Sequence, residues 1–292
     1  MPTAMVDGVK VAYELHGEGD PVVLSPGGRF GMDSQKGVRE LALALADGGK
    51  RVLIWDRTNT GASDIAFDGD LESNMHADQL AGLIRTLELG KSAIIGGGSG
   101  GRDSLLTAIR HPDVAGKLAV WWISSGIFQF TTLVQYYYSA SWKAAKNQGM
   151  EGVAALPIWQ ETLTKNPANR DRMLAMDPNK FAKTMEVWGQ EFLSYLDSPV
   201  PGAHADDFKR IQAPTLIFNH SKRDLEHPRQ TSEWLHQVIP NSRLVEEPWG
   251  DNEWNERSAE LQKTGNNLLF VSWPMLAPHL LEFMAEPAVK AR

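Results

Sequence analysis

The stretch that decides the fold is Ile94-Ile95-Gly96-Gly97-Gly98-Ser99-Gly100-Gly101, in which a short apolar run ends in five glycines and one serine. A segment with helical character follows it. Glycine tolerates strained backbone angles and lets two backbones approach closely, as a sharp strand-to-helix turn requires. The stretch therefore predicts a nucleophile elbow. One register of the turn presents Ser99, and the other leaves Gly98 at the nucleophile position.

Two phosphate-binding motifs also place glycines between a strand and a helix. Gly96, Gly98 and Gly101 match the dinucleotide fingerprint, but no acidic residue follows the next apolar run, 118–123, to bind a ribose. A phosphate loop ends in Gly-Lys-Ser/Thr, whereas Gly101 is followed by Arg102-Asp103. The sequence favours the elbow over both motifs. It leaves open a purely structural role, in which the glycines only allow tight packing.

Short apolar runs alternate with helical patterns on both sides of this turn, which is typical of an α/β fold. The predicted strands are 9–15 (an edge strand), 21–25, 51–55, 92–95, 118–123, 213–218 and 242–246. The predicted helices are 38–46, 75–89, 230–238 and the segment from the elbow to Arg110. Continuous apolar strands are buried on both faces. The pattern therefore predicts a mainly parallel central sheet flanked by helices.

The alternation stops between Phe128 and about Asp206. This stretch is helical and aromatic, is interrupted by prolines, and contains no run typical of a buried parallel strand. We interpret it as an inserted helical cap. The predicted domains are an α/β core formed by residues 1–127 and 206–292, and a cap formed by residues 128–205.

Composition excludes several classes of function. The formal net charge of −7 and the lack of a clustered Lys/Arg stripe argue against nucleic acid as a partner. Absence of cysteine excludes disulfides, thiolate metal sites and a cysteine nucleophile. With no secretory pattern at the N-terminus and no apolar run of about 20 residues, we expect a cytoplasmic protein without a membrane partner. A small-molecule substrate is expected, and a homo-oligomer is left open. The ten tryptophans indicate core packing or an aromatic-lined pocket.

Several segments, taken in order, resemble the capped branch of the α/β-hydrolase superfamily, and the resemblance covers nearly the whole chain outside the predicted cap. It implies the α/β-hydrolase fold and hydrolytic chemistry at an elbow and an oxyanion hole. We expect neither a cofactor nor a metal. The segments that carry the resemblance are Val22–Gly28, Asp56–Asp64, Leu89-Gly90 with the elbow, Arg110–Asp113, and Pro214–Phe218 leading to Asp224 and Pro228.

The resemblance also bears on the nucleophile. In the family, the residue aligned with His111 usually lies about 13 positions after the nucleophile, and this spacing leads back to Gly98. Ser99 also satisfies the G-x-S-x-G pattern, with Gly97 and Gly101, if the turn is shifted by one residue. Spacing favours Gly98, which has no side chain with which to attack a carbonyl. A natural loss of the nucleophile and a replaced serine both fit the sequence.

The family's catalytic histidine follows the last strand in a Gly-His turn, and this chain has no histidine there. Asp251 or Asn252 occupies the position instead. An exposed aspartate has a reference pKa near ~3.9 and is a poor general base at neutral pH. The resemblance implies Asp224 as the triad acid. His227, three residues further on, is the best substitute for the base, and His220 is the second choice.

The oxyanion hole needs two backbone N–H groups, one after Gly27 and one just after the elbow apex. Gly28 or Arg29 is predicted to supply the first. Ser99, or Gly100 in the shifted register, is predicted to supply the second. We expect Gly28, Arg29, Gly98 and Ser99 to line one cavity, with Trp249 among the substrate-binding residues.

Two classes of function remain from these observations. The first is a hydrolase that acts on a small apolar or aromatic ester, lactone or amide with an atypical triad. The second is a non-hydrolytic member of the fold, either a lyase-type or cofactor-free enzyme or a ligand-binding pseudoenzyme. The position of the Ser99 hydroxyl discriminates between them.

Overall fold

The computed structural model describes residues 1–34, 36–193 and 195–287, and its centre is a mainly parallel sheet. The strands lie in the order β1-β2-β4-β3-β5-β6-β7-β8. The β1–β2 and β2–β4 pairs are antiparallel, and every later pair is parallel. The strands are β1 (Thr3–Val6), β2 (Val9–His16), β3 (Asp20–Ser25), β4 (Lys50–Trp55), β5 (Ser92–Gly97), β6 (Ala115–Trp121), β7 (Thr215–Asn219) and β8 (Ser242–Glu246). The prediction of a mainly parallel α/β sheet is confirmed.

Helices follow most of the parallel strands and cover both faces of the sheet. They are α1 (Lys36–Asp47), α2 (Glu72–Thr86), α3 (Ser99–Arg110), α4 (Gly126–Leu133), α5 (Ala140–Ala154), α6 (Pro157–Lys165), α7 (Ala168–Leu174), α8 (Pro178–Glu191), α9 (Ala205–Phe208), α10 (Arg229–Val238), α11 (Glu253–Thr264) and α12 (Ala277–Ala285). A π-helical stretch, Val134–Ser139, joins α4 to α5, and a short 3₁₀ helix, Trp273–Leu276, precedes α12.

The core consists of two apolar layers, one on each face of the sheet. Side chains of a strand point to alternate faces, so neighbouring residues enter different layers. Val23 packs with helices α2 and α3, whereas Val22 and Leu24 pack with α1 and α12. Both layers consist of buried apolar side chains, which explains why the strands of this sheet are continuous apolar runs rather than alternating ones.

The N-terminal edge of the sheet differs from the prediction. Residues 9–15 were expected to form an edge strand, but β1 pairs with β2 and takes the edge position itself. The two strands are joined by Asp7-Gly8, both with positive φ (48° and 82°). An Asp-Gly pair between two short strands is a hairpin signal, so the sequence contained the information for β1. Helices α11 and α12 were also absent from the sequence-based prediction.

Helices α4 to α8 are inserted between β6 and β7 and have an apolar cluster of their own. Trp159, Phe181 and Trp188 are fully buried in it. Phe67, from the loop after β4, packs against all three of these rings and joins the inserted helices to the sheet domain. The predicted boundaries at 127/128 and 205/206 stay a prediction, and residues 288–292 of the predicted core lie outside the described residues. Among the residues described, no helix is long and apolar enough to cross a membrane.

Candidate active site

The elbow joins the end of β5 to the start of α3, and Gly98 is its apex. Gly98 has φ 60° and ψ −130°, a conformation that favours glycine, and Ser99 is the first residue of the helix. The N–H of Gly98 donates to the carbonyl of Trp121 at 3.1 Å. A Cβ on Gly100 would lie 2.3 Å from the carbonyl oxygen of Ser25, so this position also requires glycine. The register that the spacing favours is therefore the one the structure has.

The space above Gly98 is open and faces two backbone amides. A Cβ built on Gly98 would lie 3.6 Å from Cα of Gly27 and 4.0 Å from N of Gly28, both ordinary contacts. The N–H of Ser99 lies in the first turn of α3, where backbone N–H groups have no partner within the helix. The amides of Gly28 and Ser99 therefore flank the position that a nucleophile would occupy.

The hydroxyl of Ser99 already makes two hydrogen bonds within the protein. It donates to the carbonyl of Gly28 at 3.0 Å and accepts from Nη1 of Arg57 at 2.9 Å. Arg57 is itself buried, and its guanidinium also bonds the Gly28 carbonyl and the carboxylate of Asp103. A guanidinium cannot accept a proton at neutral pH, so neither partner of the Ser99 hydroxyl can act as its base. Ser99 is held as a structural link between the elbow and the Gly28 loop.

The loop after β7 brings Asp224 and His227 together. Nδ1 of His227 donates to Oδ2 of Asp224 at 2.8 Å, and both side chains are buried. Oδ1 of Asp224 accepts from the backbone N–H groups of Glu226 and His227 at 2.9 and 3.0 Å. Burial alone would raise the pKa of Asp224. The charge of His227 and these hydrogen bonds outweigh burial and hold the pKa of Asp224 below its ordinary value. The ionised carboxylate fixes the proton of the imidazole on Nδ1, which leaves Nε2 as the acceptor.

Two tryptophans hold the imidazole of His227 in place. Trp122 stacks on it with ring centroids 5.8 Å apart, and Trp254 meets it edge-on at 4.5 Å. Nε1 of Trp254 donates to Oε2 of Glu226 at 2.8 Å. Trp122 has a positive φ of 49°, an unfavourable angle for a bulky residue, at the point where β6 enters the site. The ring of His227 therefore has one preferred orientation.

His220, the second candidate for the base, has a structural role instead. Its Nε2 accepts from the backbone N–H of Ile123 at 3.1 Å, and its Nδ1 donates to the carbonyl of His227 at 3.1 Å. Burial, with the charge of His227 acting in the same direction, lowers the pKa of His220 to about 3. His220 is neutral at physiological pH and ties the end of β6 to the His227 loop.

A cavity of about 150 Å³ joins these groups. Gly28, Gly98, Ser99 and His227 share its wall, and most of the remaining surface is apolar and aromatic. The other lining residues are Phe30, Trp122, Ser124, Gln129, Thr132, Leu133, Tyr136, Tyr137, Glu226, Trp254, Leu269 and Phe270. The cavity lies at the carboxyl ends of the strands, where ligands of open α/β sheets bind.

The predicted position of Arg29 needs correction. Its side chain does not line the cavity of Gly28, Gly98 and Ser99. The guanidinium turns away to Glu72 and lies over the rings of Tyr137 and Trp159, at 4.7 and 5.0 Å from their centroids. A buried carboxylate and two aromatic faces offer a cation a more favourable environment than an apolar cavity does.

Trp249 and Asp251 also lie outside the cavity. Trp249 packs against Trp122 with ring centroids 5.0 Å apart, and its Nε1 donates to Glu247 at 2.7 Å. Asp251 is exposed, and its carbonyl accepts from the hydroxyl of Ser221 at 2.5 Å. Asp251 therefore lies at the surface and does not take part in the cavity that Gly98 and His227 share. Trp254, five residues after Trp249, is the tryptophan of this segment that reaches the cavity.

Sequence reasoning missed a second, polar pocket beside the cavity. Arg57, Glu72 and His76 line it, and Asp103 lies behind them. His76 donates from Nε2 to the carbonyl of Thr58 at 3.0 Å, and its Nδ1 lies 3.3 Å from Oδ2 of Asp103. The spacing of Glu72 and His76, at i and i+4 on one face of α2, is the sequence signal that could have identified this cluster. In the described part of the chain, no group of three or more His, Cys, Asp or Glu residues is arranged to hold a metal ion.

Known proteins of similar sequence and structure are hydrolases. The RutD protein of Caulobacter segnis, which carries the name of a carbamate hydrolase, is 32% identical over 273 residues, covering 91% of this chain and 97% of RutD. The human serine hydrolase BPHL is 25% identical over 261 residues, 87% of this chain and 81% of BPHL. The crystal structure of an enol-lactonase from Burkholderia xenovorans LB400 superposes with a TM-score of 0.61 at 19% identity, covering 98% and 100% of the two chains. No protein-family model matches the sequence.

Proposed function

Since the chain belongs to the α/β-hydrolase superfamily, we propose that it hydrolyses a small apolar or aromatic ester, lactone or amide in the cavity above Gly98. The observation that carries this proposal is the Asp224–His227 pair, whose imidazole shares a cavity with the elbow. Similar proteins named as a serine hydrolase, a carbamate hydrolase and an enol-lactonase support the reaction class.

The absence of a side chain at Gly98 requires a different first step from that of a serine hydrolase. In the proposed mechanism, water is the nucleophile and Nε2 of His227 takes its proton as the oxygen attacks the carbonyl carbon. Asp224 keeps the other proton on Nδ1 and stabilises the imidazolium that forms. No covalent enzyme intermediate arises on this route.

The developing oxyanion accepts hydrogen bonds from the backbone N–H groups of Gly28 and Ser99. The tetrahedral intermediate then collapses, the bond to the leaving oxygen or nitrogen breaks, and the imidazolium of His227 returns its proton to the leaving group. The products are a carboxylic acid and an alcohol, a phenol or an amine. The apolar walls exclude bulk water and strengthen each of these polar contacts.

The inserted helices act in this proposal as a cap over the cavity, with the domain boundaries expected from the sequence, 1–127 with 206–292 for the core and 128–205 for the cap. Gln129, Leu133 and Tyr137, from α4 and the π-helical stretch, form part of the cavity wall. Nε2 of Gln129 donates to Oε2 of Glu226 at 2.9 Å and links this wall to the His227 loop. Substrate size is therefore set by the cap side of the cavity.

The experiment is a hydrolysis assay with phenyl acetate and a small aromatic lactone, comparing the unmodified chain with His227→Gln. Glutamine keeps the polarity but cannot take up a proton. We expect kcat/KM to fall by about 10²–10⁴, the usual contribution of a general base. His204→Gln, at an exposed histidine of α9's N-terminus, is the matched control and should retain full activity. Equal activity of the His227→Gln and unmodified chains would refute the proposal.

The second candidate function is ligand binding without hydrolysis. It is favoured by one observation, the glycine at the apex with a hydroxyl at Ser99 that is already engaged. If the chain binds aromatic esters with a measurable Kd and releases them without hydrolysis, ligand binding is favoured over the hydrolase function.

A further inference from the structure

The polar pocket beside the cavity is built around three arginines that come from different parts of the chain. Arg29 follows β3, Arg57 follows β4, and Arg102 lies in the first turn of α3. The pocket adjoins the apolar cavity, because Gly28 and Ser99 line both. A molecule in the cavity therefore lies next to this group of guanidinium ions.

Each of the three arginines has a buried N–H group without a partner among the described residues. These groups are Nη1 of Arg29, Nε of Arg57 and Nη1 of Arg102. The three residues are 8%, 2% and 2% exposed, so bulk water does not satisfy these groups. Buried donors without acceptors are costly and are rare in folded proteins. Three such groups on residues that line one pocket point to an acceptor from outside the chain.

Each of these arginines also donates at least one hydrogen bond through another nitrogen, and these bonds fix its orientation. Arg29 bonds Glu72 through Nη2. Arg57 bonds Ser99 and Asp103 through Nη1. Nε of Arg102 donates to the hydroxyl of Ser73 at 2.9 Å, and its guanidinium lies over the ring of Phe192. The free N–H groups are therefore held in place before any ligand arrives, which lowers the entropic cost of binding.

The charges of the cluster do not balance. Three guanidinium groups face two carboxylates, Glu72 and Asp103. Burial would raise the pKa of both acids, but the neighbouring cations outweigh it and hold both pKa values below their ordinary range. Glu72 is fully satisfied by Arg29, Asn59 and Tyr138. At least one positive charge is left over.

We propose that this pocket binds the carboxylate of an acidic substrate whose aromatic or apolar body lies in the adjoining cavity. The assignment rests on the proposed function only in calling the ligand a substrate. A planar carboxylate suits guanidinium donors, which recognise it through short, charge-assisted hydrogen bonds. Asp103, whose Oδ1 lacks a partner among the described residues, is fully buried and does not line the pocket.

The sizes of the two spaces limit the ligand. The polar pocket measures about 20 Å³, which is room for one water-sized group and so for the end of a carboxylate. The cavity of about 150 Å³ equals in size an engineered protein cavity that binds benzene. An aromatic monocarboxylate therefore fits the two spaces together, with its ring in the cavity and its charge in the pocket.

Benzoate and benzamide are the probes, since they have nearly the same shape and differ in charge. We expect calorimetric titration of the unmodified chain to give a Kd for benzoate at least about tenfold lower than for benzamide, as one charge-assisted hydrogen bond would produce. Arg102→Met should weaken this preference, because one of the three guanidinium groups of the pocket is then missing. Arg110→Met, at an exposed arginine of the same helix, is the matched control and should keep it.

Equal affinity of the unmodified chain for the two probes would overturn the assignment, and this comparison does not depend on any variant. A preference for benzoate that Arg102→Met leaves undiminished would also overturn it, because removal of one of the three guanidinium groups of this pocket would then have no effect on recognition of the charge. Hydrolysis of phenyl acetate, which has no carboxylate, tests the proposed function separately. Benzoate selectivity in a chain that never hydrolyses phenyl acetate would uphold the pocket and refute the hydrolase.

Discussion

Replacement of Gly98 by serine places a hydroxyl where the structure has space and catalytic neighbours but no side chain. The new Cβ would lie no closer than 3.6 Å to any atom outside the adjacent residues, so it does not clash. The cost is conformational, because φ is 60° and ψ is −130°. Such strained positions cost about 1–3 kcal/mol for a non-glycine residue. We expect the free energy of unfolding of Gly98→Ser to fall by that amount.

The expected gain is a second route to hydrolysis. The introduced hydroxyl would attack the carbonyl with His227 as its base, beside the amides of Gly28 and Ser99. Each oxyanion-hole donor is worth about 2.7–4 kcal/mol in acyl transfer, and these donors would already be in place. We therefore expect hydrolysis of p-nitrophenyl acetate to rise at least about tenfold. Intact-protein mass spectrometry after rapid quenching should show one acetyl group per chain.

Gly90→Ser is the matched control for strain. Gly90 also has a positive φ, 68°, and a Cβ there would meet no atom within 4 Å. This variant should lose stability to a similar degree and gain neither activity nor an acetyl group. A Gly98→Ser chain that folds with the expected loss of stability but gains no acetyl adduct would show that the dyad and the amides are not aligned on the apex. The reasoning about the site would then be wrong.

Three further predictions concern buried charges around the site. Asp224→Asn should lower kcat/KM by at least about a hundredfold in a steady-state ester assay, because the amide no longer stabilises the imidazolium of its partner. Burial raises the pKa of Glu247 from 4.5 to about 8, so the folded chain holds a proton that the unfolded chain releases, and stability falls as the pH rises through this interval. Glu247→Gln should therefore be more stable than the unmodified chain at pH 9 but not at pH 4, as urea denaturation at the two values would measure. Arg57→Met leaves the buried carboxylate of Asp103 short of its cation and should cost about 3–5 kcal/mol of unfolding free energy. Removal of the exposed Arg85 in the same assay should cost about 0–1 kcal/mol.

The fold was predictable from local patterns. Val22-Val23-Leu24 is apolar throughout because its residues enter two different core layers, and that pattern marks a parallel strand without knowledge of its partners. The glycines of the elbow were informative for a similar reason. A Cβ on Gly100 would meet the carbonyl of Ser25, so the residue type reports a close approach of two backbones.

The candidate site was only partly predictable, because its contacts join distant segments. Asp224 and His227 are three residues apart, and a local turn brings them together. The hydrogen bond from Arg57 to Ser99 joins residues that are 42 positions apart, and the local sequence of neither segment predicts it. The resemblance likewise pointed to the loop after β8 for the general base, whereas Asp251 in that loop is exposed to solvent. Long-range polar contacts depend on side-chain directions that spacing alone does not determine.

The central claim is that His227 activates water and that Ser99 is not the nucleophile. The most direct test is the kinetics of Ser99→Ala beside the unmodified chain with p-nitrophenyl acetate, followed from the first turnover. We predict that kcat/KM stays within about threefold, and that neither chain shows a burst of nitrophenol or an acetyl adduct, because water attacks directly. A stoichiometric burst in the unmodified chain that disappears in Ser99→Ala, together with loss of turnover, would contradict the account and make Ser99 the nucleophile.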